Sequence, residues 1–242
     1  MDPITGILLI AVGSVGAASF YVPFKKVKSW AWESYWLSQG VFAWLIIPWL
    51  FALIFVPRGE LMPIISEAPS SAKLLAMFFG ILWGFGGLTF GLSLRYLGVA
   101  LGQSIALGLC AAFGTLLPPV IAGQNMFSTT GGILTVIGVS VTVAGIIIIG
   151  YAGSLKGKEM SEEQKKAAVK EFALKKGLLI AIFAGIMSAC FNFGYEAGKP
   201  IEDVALAHGT NPLFQKNPSL IFILLGGFIT NLVYCGFLNI KN

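Results

Sequence analysis

Charge is what this chain lacks. Lys, Arg, Asp and Glu make up 11% of its 242 residues, where a soluble domain carries about 25%. That is too little polar surface to coat a globule in water, so a soluble metabolic enzyme is excluded. The net charge of +5 would suggest nucleic acid in a soluble chain, but the lysines fall between hydrophobic runs, and no nucleic-acid partner is expected. Histidine is also scarce, with His208 the only one. The three cysteines, Cys110, Cys190 and Cys235, lie in separate apolar runs without CxxC spacing, which argues against a disulfide framework and a metal site. No nucleophile–base pair or phosphate-binding loop is evident, so neither an enzyme nor a bound cofactor is indicated. The start, Met1-Asp2-Pro3, has no basic n-region, and Lys25, Lys26 and Lys28 follow the first apolar run, an order that fits a spanning helix better than a cleaved signal.

Apolar residues dominate instead, at 56% of the chain, with a mean hydropathy of +0.83. Seven runs are long enough to cross about 30 Å of hydrocarbon: roughly 4–22, 33–56, 74–94, 98–121, 131–151, 177–197 and 219–238. They do not alternate apolar and polar residues as barrel strands would. Helices satisfy their own backbone groups in lipid, so the expected fold is all-α, a polytopic bundle in the bilayer. If the connection after the first run is inside, the inside segments hold twelve Lys and Arg, among them the anchors Lys25, Lys26, Lys28 and Arg95, against four outside. That bias predicts an outside N-terminus and an inside C-terminus.

Two connections are polar. In 152–176, Ser161 and Gln164 have capping-box spacing, and Glu162/Lys166 and Glu171/Lys175 are i,i+4 pairs, predicting a short surface helix. In 198–218, Pro200 is expected to start a helix with Glu202 and Asp203 in its first turn, and His208-Gly209 to stop it. Small residues form stripes at helical spacing: Gly6, Ile10, Gly13 and Ala17; Gly80, Gly84, Gly87 and Gly91; Ser104, Gly108, Ala111 and Thr115. Such stripes serve close helix packing or leave room for a cavity. Pro48 and Pro118-Pro119 are expected to bend their helices.

Ionisable groups within the apolar runs are costly, which makes them functional suspects. Glu33 opens the second run among Trp30, Trp32 and Trp36, and Glu196 closes the sixth on a face with Ser188, Asn192 and Tyr195. Either carboxyl could carry a proton, although Glu196 is also placed to pair with Lys199 and Glu33 to sit at the interface. Trp36, Gln39, Trp83, Asn192, Tyr195 and Asn231 are the types a sugar site needs, since amides bond hydroxyls while aromatic faces stack on the C–H face of the ring. Asn192 and Asn231 could equally be interhelical glue.

The stretch FYVPFKKVKSWAWE at 20–33 closely resembles the segment after the first helix of the L-rhamnose–proton symporter family, in the drug/metabolite transporter superfamily. GILWGFGGLTFGLSLRYLG at 80–98, LKGKEM at 155–160, FALKKG at 172–177, AGKP at 197–200 and NPLF at 211–214 continue the resemblance along the whole chain. It implies a secondary transporter of the bacterial inner membrane that imports L-rhamnose, or a related 6-deoxy sugar, with a proton. An exporter or exchanger of another small metabolite is the alternative, and a non-transporting membrane component or fragment is a third. The resemblance also implies two inverted five-helix repeats: 1–151 as the first, 152–176 as a cytoplasmic loop, and 177–242 as two helices of an incomplete second. Asn231 and Tyr234 would then face lipid, a homo-oligomer or the missing C-terminal helices. Within the family motif Glu33, rather than Glu196, is the implied proton-coupling residue.

Overall fold

The structure is a computed structural model that describes residues 3–19, 26–27, 30–121, 123–159 and 173–241. Every regular element among them is helical: α1 Pro3–Ser19, α2 Trp32–Gly40, a π-helical segment Val41–Ile46, α3 Ile47–Phe55, α4 Leu61–Glu67, α5 Ser70–Leu97, α6 Val99–Ile121, a 3-10 turn Met126–Ser128, α7 Thr130–Glu159, α8 Leu174–Ala207 and α9 Asn217–Lys241. Six helices in the described residues are long and apolar enough to cross a membrane, with α2, the π segment and α3 forming one of them. The protein is a polytopic helical membrane bundle. The expected seventh span, α1, has 17 described residues, or about 25 Å at 1.5 Å per residue. It falls short because its expected end, 20–22, lies outside the described residues.

Proline accounts for the irregular geometry. Pro48 has no N–H, so the carbonyl four residues earlier loses its helical donor. The ladder upstream widens, and the Ile47 N–H reaches back five residues to Phe42 O. Pro118 and Pro119 lie inside α6. Pro200 corrects an expectation: it begins no new helix, and α8 runs through it to Ala207. Packing on both sides of α8 holds the helix across the missing bond, and the stop comes where expected, with His208 at the cap and Gly209 at φ +80°. Sequence reading also missed α4, a short amphipathic wedge whose Leu61 and Ile64 are buried.

The helices meet where small residues let them. A Cβ at Gly80 would strike the Ile223 carbonyl of α9, and one at Gly226 the Met77 carbonyl of α5. Thr230 Oγ1 then donates across the same interface to Ile81 O at 2.9 Å. Gly84 also packs on α9, whereas Gly87 and Gly91 meet nothing within 4 Å. Only half of the Gly80–Gly91 stripe is therefore a packing face. Gly6 and Gly13 of α1 are likewise open. On its other faces α8 packs against α5, where Gly86 meets Ser188, and against α6, where Gly185 meets Ala106 and Leu109. At one end of the bundle Ala52, Val56, Leu61, Ile64, Ala68, Ala72, Ile201, Ala205 and Ile221 form an apolar cluster joining α3, α4, α5, α8 and α9. α7 lies at the edge, largely uncovered. The expected loop 152–176 is shorter: residues 152–159 continue α7 and 174–176 begin α8, while the short helix expected from Ser161 lies outside the described residues.

Candidate functional site

Glu33 sits in the first turn of α2, where a negative charge suits the positive end of the helix. The residue is only 6% exposed. Cys235 of α9 lies within its electrostatic reach, and one residue along Ser34 Oγ donates to Asn239 Oδ1 at 2.8 Å. One turn further, Trp36 Nε1 donates to Asn231 Oδ1 at 2.9 Å, and Asn231 Nδ2 donates to Gly227 O at 2.7 Å. Asn231 is therefore buried and held by Trp36, which overturns its expected exposure on an incomplete repeat; Tyr234, 43% exposed, does face outward.

From Trp36 a row of rings crosses the bundle. Trp36 meets Trp44 edge-on at 5.8 Å, Trp44 meets Trp83 at 5.9 Å, Trp83 meets Phe191 at 5.0 Å, and Phe191 meets Tyr195 edge-on at 5.2 Å. All but the tilted Trp83–Phe191 pair are edge-to-face, which suits the ring quadrupoles. Trp44 belongs to the π segment, which places it between Trp36 and Trp83. Its extra backbone turn carries no sequence signal beyond Pro48, so sequence reading passed over Trp44, and Phe191 with it. At the far end Lys216 Nζ stands 4.8 Å over the Tyr195 ring. Gln39, one turn from Trp36, has its Oε1 buried without a hydrogen-bond partner in the described protein, so its amide has bonding capacity to spare.

The six expected sugar-site residues do not all converge. Trp36, Trp83, Tyr195 and Asn231 belong to the row or touch it, and Gln39 lies beside it. Asn192 turns to α6, where it abuts Gly114. The face drawn through Ser188, Asn192, Tyr195 and Glu196 is thus divided among neighbours, because α8 is wrapped by two helices. Glu196 pairs with Lys199, and both side chains are well exposed, at 43% and 57%. Of the basic anchors, Arg95 is in the last turn of α5 and Lys26 is exposed; Lys25 and Lys28 lie outside the described residues. A groove of 470 Å³ opens elsewhere, between α6 and α7, lined by Gln103, Ser104, Gly108 and Thr142. None of its lining residues belongs to the ring row. A smaller pocket of 120 Å³ lies beside the π segment, lined by Ala43, Pro48, Phe51 and Asn217.

His208 joins two parts of the chain. Its Nδ1 is 2.7 Å from Glu60 Oε2 and its Nε2 3.0 Å from Glu67 Oε2. Hydrogen bonds donated to Glu67 and then to Glu60 hold the imidazole above its ordinary value of 6.5.

Comparison with known proteins agrees with the resemblance. The family model described as L-rhamnose-proton symport protein (RhaT) matches residues 2–242. An L-rhamnose-proton symporter of Klebsiella pneumoniae subsp. pneumoniae is 40% identical over 232 residues, covering 95% of this chain and 65% of the relative. One of Yersinia pestis bv. Antiqua is 40% identical over 240 residues, covering 96% of this chain and 66% of the relative. The chain thus spans about two thirds of the length of the curated relatives it matches. No solved structure matches. With a family model matched from residue 2 to residue 242, this chain belongs to the L-rhamnose-proton symport protein family.

Proposed function

We propose that this chain forms the sugar- and proton-handling part of a secondary transporter that imports L-rhamnose, or a related 6-deoxy sugar, with a proton across the bacterial inner membrane. The relatives' names supply the sugar and the ion. The observation in this chain that carries the reading is the ring row joined to the Trp36–Asn231 bond, which offers aromatic faces beside an amide in a dry interior. The C–H face of a 6-deoxy sugar would stack on Trp36 or Trp83, and Gln39 and Asn231 would meet its hydroxyls. Tyr195 would close the far side. Asn192, turned to α6, would act only after α8 moves against α6. Glu33 would carry the coupled proton, as the buried carboxyl one turn before Trp36 at the head of the ring row. A proton can bias one access state over the other only by binding the two states unequally.

The architecture that goes with this reading is alternating access between two inverted repeats, with residues 1–151 as the first repeat, α1 as its first span, and 177–242 opening the second. The N-terminus would lie outside and the C-terminus inside. The test is uptake of labelled L-rhamnose into vesicles containing a form with its relatives' full length, with other small metabolites as competitors. Saturable uptake that Trp83→Ala abolishes supports the reading. Transport that prefers a larger or charged metabolite and ignores L-rhamnose would favour an exporter or exchanger.

A further inference from the structure

A second carboxyl is buried at the other end of the bundle. Glu202 lies in the last turns of α8, between Ile201 and Ala205 of the apolar cluster, and its side chain is 5% exposed. Its Oε1 is buried and has no hydrogen-bond partner in the described protein. Expecting a helix to start at Pro200 made Glu202 an ordinary first-turn acid on a solvated surface. Because α8 continues through Pro200, Glu202 instead falls on a face turned into the core. An ionised carboxylate with a bare oxygen in such a place is far more costly than the neutral acid. The charged groups within its reach are Lys216 from the connection to α9, and Glu196, Lys199 and Asp203 from α8 itself; Tyr195 is within reach as well. Two further buried polar atoms without partners, Thr210 Oγ1 and Asn217 Nδ2, belong to the same connection and the start of α9. Glu33 is near Cys235 and Glu202 near Lys216, so the two carboxyls stand at opposite ends of α9, about 27 Å apart along its axis.

We propose that Glu202 is a proton-binding carboxyl of the transport path, placed about two helical turns along α8 from Tyr195, beyond the end of the ring row opposite Glu33. This deepens the transporter reading and rests on it. On loading, an O–H bond forms at a Glu202 carboxylate oxygen with a proton from water at that end; on release the same bond breaks and the proton returns to water. The neutral acid can donate one hydrogen bond that the carboxylate cannot, so the polar atoms around it would be satisfied differently in the two forms. That difference is what couples a proton to a conformational choice.

Infrared spectroscopy of the 242-residue chain in lipid tests the assignment without any sugar. The C=O stretch of a protonated carboxyl in an apolar setting is expected at neutral pH, absent from Glu202→Gln, shifted in Glu202→Asp and unchanged in Glu159→Gln. Glu202→Asp keeps the test decisive if Glu202→Gln fails to fold. A wild-type spectrum without that band, or a band that Glu33→Gln removes while Glu202→Asp leaves it unshifted, overturns the proposal. A form of the relatives' length that moves no L-rhamnose at all, with the Glu202 band present, would instead overturn the transporter reading.

Discussion

Asn231 accepts from Trp36 across two helices and donates to Gly227 O of its own helix; in the proposed site a hydroxylated ligand would displace one of these bonds. Interhelical hydrogen bonds in membrane bundles average about 0.6 kcal/mol and reach about 1.7. A double-mutant cycle of Trp36→Phe and Asn231→Ala, read by unfolding in mixed detergent, should give a coupling within that range; zero coupling would mean the bond is not formed. Glu33 calls for a functional cycle. In a form of the relatives' length, Glu33→Gln should preserve L-rhamnose exchange at equal concentrations and abolish accumulation against a gradient. If it merely lowered protein in the membrane, with accumulation per protein unchanged, Glu33 would be an anchor. The exposed Glu196–Lys199 pair was legible from i,i+3 spacing. The burial of Glu202 was not, because Pro200 at a helix start is the commoner pattern, and only packing around α8 overrides it.

At the scale of elements, α5 and α9 touch backbone to backbone. Gly80→Ala and Gly226→Ala should each destabilise the bundle by roughly 1–3 kcal/mol, the usual cost of overpacking. Gly87→Ala, with nothing within 4 Å, should change stability little. Equal effects at all three positions would contradict the observed interface. All four residues of the Gly80–Gly91 stripe look alike in sequence; which two face a helix depends on where α9 lies, and no local pattern records that. The end of α8 is a second element-scale case. A neutral imidazole has one N–H, so His208 can donate to both Glu60 and Glu67 only as the cation. Its raised value means the linkage is complete below pH 6.5 and is lost as pH rises through that raised value. Amide exchange at Gly209 and Thr210, corrected for its intrinsic pH dependence, should therefore accelerate on going alkaline in the wild type. In His208→Gln it should be fast at every pH. A constant difference between the two proteins would show that the ring does not titrate in this window.

For the whole molecule, hydropathy was enough to find the membrane helices, since about 20 apolar residues without charge have no other stable home. Their ends and irregularities were less visible. The π segment follows from Pro48 only after the missing N–H is weighed against the packing of Trp44, and α4 is too short for a periodic signal to stand out. Orientation rests on Lys and Arg counts alone. With the native cysteines replaced, Glu159→Cys should react only with reagent applied from the inside, and Asn211→Cys, on an exposed turn, only from the outside; the reverse would invert the topology.

In the proposed transporter a sugar and a proton move together through the bundle built on the ring row and its buried carboxyls. The most direct test is the pH outside sealed vesicles that hold a form of the relatives' length, with no membrane potential and no pH gradient at the start. Adding L-rhamnose outside should make the external medium alkaline as protons enter with the sugar, and Glu33→Gln should abolish the pH change. L-rhamnose entry without any change of pH would contradict proton coupling.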